Sequence, residues 1–560
     1  MVRFMPVLLA FLLMVTGILS GCSSQAVREQ TPEIANKQNE GNQGEQTDQT
    51  FKKLPDKYDP PIQLTTVTLP NPTLKYAPED DENNNPWTRR LEKDYGIKVK
   101  SLWSVPPEQY EQKMNLAIAS GDIPDFFNAT PIQFKQLYEA GLLEDLTTMY
   151  STYVPDMVKK FIDEAGPEVM RSATLDGKLM AIPWTATFKE SAPILYVRKD
   201  WLKKVNLPEP KTMQDVLKIV EAFATQDPDD NGKDDTVGML LDKDLSSASG
   251  FFSGYHAYRE LWLIDSTGKL AYSSIQPEMK TALGKLQGMF KAGQLDPEFA
   301  MKAEGKTIEE LIAGKAGIYY SAMYAPAWPL QQSKDINPQA DWGSYPMPSV
   351  DNQVALAPHK LNVSGYWVVK KGIPHPEALL NMLELWSNIQ HNNKSEEIYK
   401  EFIVGIDGAS TAWSMSPIKF YRAFNNVNNH LAIAPFLKGE ESDLNKLTPD
   451  QRNLYSASMK YKNGDNGNWG ANEIWGLNGS ASIVDGYLKK NQFLSDEYFS
   501  TPTPTMVERW ESLRKLEIMT MTTIVQGAPL AEFDKFVEQW KKQGGEQITK
   551  EVNEWYAKRK

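Results

Sequence analysis

From residue 62 onward the chain alternates short apolar runs with amphipathic stretches. Ile62–Leu69 (IQLTTVTL) places apolar side chains at alternating positions, the period of a half-buried strand. Asn85–Tyr95 predicts a helix and Ile97–Leu102 a second strand. Glu108–Ala119 predicts another helix with Met114, Ala117 and Ile118 on one side, and after the turn Ser120-Gly121-Asp122-Ile123-Pro124-Asp125 a short strand opens at Phe126-Phe127. Thr212 followed by Asp215 is a capping-box pair, and the helix beyond it gathers Val216, Leu217, Ile219, Val220 and Phe223. Gly365–Val369 predicts a strand. Pro374 and Pro376 then lead into a helix striped by Leu379, Leu380, Leu383 and Trp386. The chain ends in helices, Pro529–Lys542 and Ile548–Tyr556, separated by Gly544-Gly545. Strands alternating with helices predict an α/β fold with an open sheet. No internal repeat is evident.

The first 58 residues break this pattern. Arg3 precedes the apolar run Val7–Leu19, which is too short for a comfortable membrane span. Leu19-Ser20-Gly21-Cys22 follows, and it resembles the lipobox of bacterial lipoproteins. The resemblance implies a signal peptide over 1–21 and lipidation of Cys22, the chain's single cysteine. Residues 22–58 read as a tether, rich in Gln, Asn, Glu and Ser, with too few aliphatics to offset ordering entropy. A leash of that length reaches roughly 30 Å. No later run holds 18 consecutive apolar residues, so lipid is the expected anchor, on the extracytoplasmic face of the cell membrane.

Composition narrows the function. At 560 residues, 41% hydrophobic and 24% charged, the chain has the make-up of a multidomain globular protein. Its net charge of −12, about −13 without residues 1–21, argues against a nucleic-acid partner. One cysteine excludes a disulfide framework, and the five scattered histidines contain no HExxH pair. There is no GxSxG, GxGxxG or Walker A motif, and Gly305-Lys306-Thr307 lacks the upstream glycine of a phosphate loop.

Six segments, in order, point to a family: Ala117–Asp125 (AIASGDIPD), Gly141–Leu146 (GLLEDL), Asp176–Pro183 (DGKLMAIP), Tyr196–Leu202 (YVRKDWL), Gly365–Gly372 (GYWVVKKG) and Phe533–Trp540 (FDKFVEQW). They resemble the extracellular solute-binding proteins of carbohydrate ABC importers, the large Gram-positive lipoproteins and alginate-oligosaccharide-binding proteins in particular. The resemblance implies a two-lobed, periplasmic-binding-protein-like (type II) α/β fold with an interlobe cleft. Lobe one would comprise 60–184 plus 362–430 and lobe two 190–350 plus 470–560, with crossings near 184–192, 350–362 and 420–470. It further implies a monomeric, non-catalytic receptor that passes an oligosaccharide to the transmembrane permease subunits of an ABC transporter. A peptide- or protein-binding surface lipoprotein and an anchored polysaccharide-degrading enzyme are the competing readings; no motif singles out a catalytic carboxylate pair.

The sharpest local motif is Asp227-Pro-Asp-Asp-Asn-Gly-Lys-Asp-Asp235. Asp227, Asp229, Asn231, Lys233 through its carbonyl, and Asp235 occupy positions 1, 3, 5, 7 and 9 of an EF-hand-type loop, with Gly232 at the sharp turn. Gly238 stands where a bidentate Glu belongs, which speaks against a regulatory EF-hand. The alginate-binding resemblance implies structural Ca²⁺ instead; the other reading is a solvated turn.

Sugars present apolar CH faces and a rim of hydroxyls, so their sites pair flat aromatics with polar groups on loops beyond strand ends. Asp125, Trp184, Tyr324, Trp328, Tyr366 and Trp367 occupy such loops. Trp413, Arg422, Trp469 and Trp475 lie in polar, Gly/Asn-rich stretches and form a second group. Trp201, Trp386, Trp540 and Trp555 sit on amphipathic helices and read as core.

Overall fold

The computed structural model describes residues 54–71, 74–233, 235–405, 408 and 411–559. The expected signal peptide, Cys22 and most of the tether lie outside the described residues. The end of the expected tether is corrected. Tyr58 is buried, its backbone N–H donates to the Tyr95 carbonyl at 2.9 Å, and its hydroxyl donates to Glu377 at 2.9 Å. Pro60-Pro61 marks the start of the first strand rather than the start of packing.

The strands that position the site are β1 (Ile62–Thr68), β2 (Ile97–Ser104), β3 (Phe126–Ala129), β4 (Ile182–Thr185), β5 (Ile194–Arg198), β6 (Ile318–Ser321), β7 (Trp342–Tyr345), β8 (Ala357–His359), β9 (Val363–Val369) and β10 (Phe493–Ser495). β1 and β2 pair in parallel from Ile62↔Ile97 and are joined by helix α1 (Pro86–Tyr95). Asn85 caps α1, its side chain accepting from the backbone of Trp87 and Thr88. Gly96 closes it at φ 67°, and a Cβ there would lie 2.2 Å from the Tyr58 carbonyl, so that exit requires glycine.

Two three-stranded antiparallel sheets follow, in the orders β3-β9-β4 and β6-β5-β7. The chain leaves the first sheet at Thr185, enters the second at Ile194, and returns between Tyr345 and Val363. The open sheet expected from the sequence is thus replaced by small separate sheets. The alternating pattern reports element type, whereas β3 and β9 find each other across more than 200 residues.

Each sheet sits in its own core. The first gathers buried apolar residues from Tyr58 to Ile182 and from Tyr366 to Phe420. Trp87 stacks on Trp386 within it, centroids 5.2 Å apart. The second runs from Leu195 to Tyr320 and takes in the terminal helices through Trp540 and Val552. Burying each large side chain contributes about 1.5–3 kcal/mol. A third cluster joins Ala165 and Val169 to Ile194 and Tyr196, to Ala423–Val427 and to Trp469–Val484. The segments by which the chain passes from one sheet to the other pack in a smaller cluster of Ala192, Met347, Ala355, Ala357 and Tyr487. Helix α2 (Met213–Thr225) begins at the expected capping box, and α3 (Ala378–His391) carries the expected stripe inward. Among the described residues no helix is long and apolar enough to cross a membrane.

Candidate functional site

β1, β2, β3, β4 and β9 converge with the segment Trp413–Tyr421 around a cavity of about 520 Å³. Its aromatic wall is built on adjacent strands. Trp184 on β4 and Trp367 on β9 lie with centroids 5.8 Å apart and planes inclined by 32°. Trp184 also meets Tyr421 at 6.0 Å and 31°. The three tilted rings give the wall an aromatic surface, and aromatic faces can take a sugar's CH face. Trp413, Tyr76 and Tyr110 extend the lining.

Period-two alternation decides which aromatics can take part. Trp367 faces the cavity, while its neighbour Tyr366 turns to the other face and stacks on Phe134 at 4.6 Å and 21°. Gly365 leaves room for the Asn128 side chain, since a Cβ there would approach the Asn128 amide to 2.5 Å. That amide also lines the cavity.

The polar character of the wall is one-sided. The Trp184 indole N–H and the Asn128 amide nitrogen are buried donors without a partner among the described residues. Lys419 lines the same cavity, and burial pushes its ammonium down to about 8. Glu82 is the one acid among the described lining residues. Tyr76 is pushed up to about 12 by burial and then by the nearby charge of Glu82.

The structure thus brings together Trp184, Trp367 and Trp413 of the residues singled out by sequence. The others stand elsewhere. Asp125 accepts the Thr65 backbone N–H and hydroxyl, both at 2.7 Å, and ties β3 to β1. Arg422 makes a two-pronged ion pair with Glu164 and lies over the Phe161 ring. Tyr324 donates to the buried Glu190 at 3.2 Å. Trp328 is 54% exposed. Trp469 is buried in the third cluster, and Trp475 packs against it with its carbonyl accepting from His430 at 3.0 Å. Sequence reasoning passed over Tyr421, Lys419, Asn128, Tyr76 and Tyr110. Only Asn128, at the end of a predicted strand, carried a local signal.

The Asp227–Asp235 loop turns through positive φ at Asp227 (45°), Asp230 (60°) and Gly232 (73°). The Asn231 amide bridges Asp229 at 2.7 Å and Asp235 at 3.0 Å, and Asp227 accepts the Gly232 backbone N–H at 2.9 Å. Lys315 pairs with Asp235 at 2.6 Å. Asp229 keeps one buried carboxylate oxygen without a partner among the described residues, and burial together with Asp227 and Asp235 raises its carboxyl. These oxygens are of the type a hard cation takes and recur at alternate positions of the loop. Among the described residues no three His, Cys, Asp or Glu side chains stand together as a metal site. Gly238 has its own reason: a Cβ would lie 2.3 Å from the Val220 carbonyl, so no Glu fits at that position.

Residues 77–386 match the family of bacterial extracellular solute-binding proteins. The chain belongs to this family. It is 22% identical over 502 residues to the polygalacturonan/rhamnogalacturonan-binding protein YtcQ of Bacillus subtilis, covering 84% of this chain and 88% of YtcQ. It is 32% identical over 287 residues to the fructooligosaccharide ABC transporter substrate-binding protein FusA of Streptococcus pneumoniae, covering 47% of this chain and 52% of FusA. To Lipoprotein LipO of Bacillus subtilis it is 28% identical over 263 residues, covering 45% and 49%. The matches to FusA and LipO therefore span about half of those proteins. FusA in complex with kestose superposes with a TM-score of 0.56 at 17% identity, covering 89% of this chain and all of that one. A FusA EF-hand mutant bound to fructo-nystose superposes equally well, at 0.56 and 16% identity over 89% and 99%. The solute-binding fold is the expected two-lobed, periplasmic-binding-protein-like (type II) α/β architecture.

Proposed function

We propose that this solute-binding protein captures an oligosaccharide outside the cell and delivers it, chemically intact, to the permease of an ABC transporter. The observation that carries the reading is the aromatic surface of Trp367, Trp184 and Tyr421 on the wall of a 520 Å³ cavity that offers unpaired donors. Flat rings take CH faces and the donors take hydroxyl oxygens. Two of the relatives' names speak the same chemistry: YtcQ is a polygalacturonan/rhamnogalacturonan binder, and FusA is a fructooligosaccharide transporter's substrate-binding protein, solved with kestose.

In this reading residues 60–184 and 362–430 form one lobe and 190–350 and 470–560 the other. The cavity lies on the first lobe, and the second closes over the sugar. Only ligand contacts with both lobes favour the closed state, so closure is a shift between two populations. The protein acts as a monomer, exported by residues 1–21 and held to the outer membrane face through lipidated Cys22. Asp227, Asp229, Asn231, the Lys233 carbonyl and Asp235 hold a structural Ca²⁺, which neutralises crowded carboxylates and stiffens the turn after α2. In this reading the protein is a receptor and not an enzyme: it binds the sugar and releases it at its original length.

A tryptophan-fluorescence and thermal-shift screen against plant and algal oligosaccharides tests the reading. Saturable quenching with a raised melting temperature supports it. Peptides binding where sugars do not would refute it.

A further inference from the structure

Lys419 sits in a segment whose backbone is fixed by side chains from three other elements. Its own carbonyl accepts the Trp367 indole N–H at 2.8 Å. The next two carbonyls accept from the Trp386 indole and the Thr185 hydroxyl. The stem therefore starts from a rigid wall, beside Trp367, in the cavity.

Among the described residues the ammonium at its end has one partner, the Ser416 carbonyl at 3.2 Å. Among the described residues no carboxylate lies within ion-pair distance of it. Lys302 and Arg422, also partly buried, are paired with acids: Lys302 with Asp296 at 2.6 Å and Glu310 at 2.7 Å, and Arg422 with Glu164. Lys334 has no acid among the described residues but makes two carbonyl contacts, to Ala340 at 3.0 Å and Pro338 at 3.4 Å. Glu82, the acid of the same cavity, lies beside Tyr76. Burying a cation without a counter-charge is unfavourable, and here burial pushes the ammonium down with no neighbouring acid to restore it. The remaining unpartnered polar groups of the wall, Trp184 Nε1 and Asn128 Nδ2, are donors as well. Three donors, one of them charged, leave a site complementary to an anion with several lone pairs.

We propose that the ligand of this cavity is an acidic oligosaccharide, one of whose sugar residues places its anionic group against Lys419. The inference rests on the oligosaccharide reading above and sharpens it: the rings hold the sugar face, and Lys419 selects charge. Carboxylate and sulfate esters share the chemistry Lys419 recognises, a point charge with oxygen acceptors.

The test is titration calorimetry on the full chain with three sets of probes. These are oligogalacturonates and oligoalginates alongside their methyl esters, sulfated carrageenan oligosaccharides, and neutral galacto-, fructo- and malto-oligosaccharides. At least one acidic probe is expected to bind. If it is a uronate, its methyl ester should bind at least tenfold more weakly; a sulfated probe binding alone assigns the anion to sulfate. Lys419→Met keeps the stem and removes the charge, and should abolish the preference for the acid, while Lys419→Arg should retain it. The ester comparison uses the wild-type protein, so it stands even if a variant fails to fold. Tight binding confined to neutral sugars, a methyl ester that binds as well as its acid, or Lys419→Met binding the acid unchanged would each overturn the proposal and leave the oligosaccharide reading standing. Failure of every sugar to bind would overturn that reading itself, and this proposal with it.

Discussion

Glu190 accepts the backbone N–H of Val427 at 2.9 Å, joining the segment between β4 and β5 to the first turn of helix α4 (Asn425–Lys438). The same carboxylate takes the Asn426 backbone N–H at 2.7 Å, the Asn426 amide at 2.8 Å and the Tyr324 hydroxyl at 3.2 Å. Tyr324 follows β6, so a single buried acid ties both sheets to a helix start. Its negative oxygens also face the positive end of the helix dipole.

Glu190→Ala would leave those donors unpaired in a dry site, at on the order of 1–3 kcal/mol for each unsatisfied group. We expect a clear fall in denaturant midpoint, at least about 2 kcal/mol. Glu190→Gln should fall less, because it keeps one acceptor oxygen. An unchanged midpoint for Glu190→Ala would show that the link carries no stability.

The pH dependence follows from buried groups. Burial pushes Glu190 and Glu473 up to about 7 and Asp496 up to about 6. Each binds a proton more readily in the folded than in the unfolded chain, so each loses stability as pH rises from its unfolded value through its folded one. Burial, then Arg422, pushes His391 down to about 3, which acts in the opposite direction below about pH 6.5. Burial lowers His359 as well, and the three acids outnumber the two histidines. Stability should therefore drop from pH 5.5 to pH 7.5, by on the order of 2 kcal/mol. Glu473→Gln should flatten that slope. A melting temperature that rises over this interval would contradict the assignment.

For the Asp227–Asp235 loop, calcium at a hundred times its dissociation constant should stabilise the protein by about 2.7 kcal/mol. EDTA should remove that gain, and Asp229→Ala should abolish the response without unfolding the chain. If EDTA leaves the melting temperature unchanged, the loop is a solvated turn.

Within the cavity, Trp184→Ala and Trp413→Ala should each weaken sugar binding about tenfold or more, since an aromatic contact contributes on the order of 1 kcal/mol beyond its buried area. Trp328→Ala, on an exposed position outside the cavity lining, should leave affinity within about twofold. Equal losses for all three would mean that the aromatic wall is not the contact surface.

Much of this was legible in the sequence where the cause is local. The β1 alternation, the Thr212–Asp215 capping box and the α3 stripe each occupy a few consecutive residues, and each appears in the fold. Trp184 and Trp367 were legible as aromatics at strand ends. Tyr366 was named alongside Trp367, yet adjacent residues on β9 face opposite ways, and the composition GYW cannot say which faces the core. Tyr421 and Lys419 were not legible, because their positions depend on Thr185, Trp367 and Trp386 reaching in from distant segments. Arg422 was named for its polar surroundings; it lies outside any helix, and its partner Glu164 comes from the distant helix Asp156–Ala165. Pairing across hundreds of residues leaves no periodic trace.

The central claim is capture without chemistry, and one measurement addresses it directly. The full chain is titrated calorimetrically with an oligosaccharide panel, and the sugar is then recovered and analysed for new reducing ends. The account predicts saturable one-to-one binding, weakened about tenfold or more in Trp184→Ala, with the sugar recovered at its original length. No binding by any sugar, or shortened sugar accumulating with time, would contradict it.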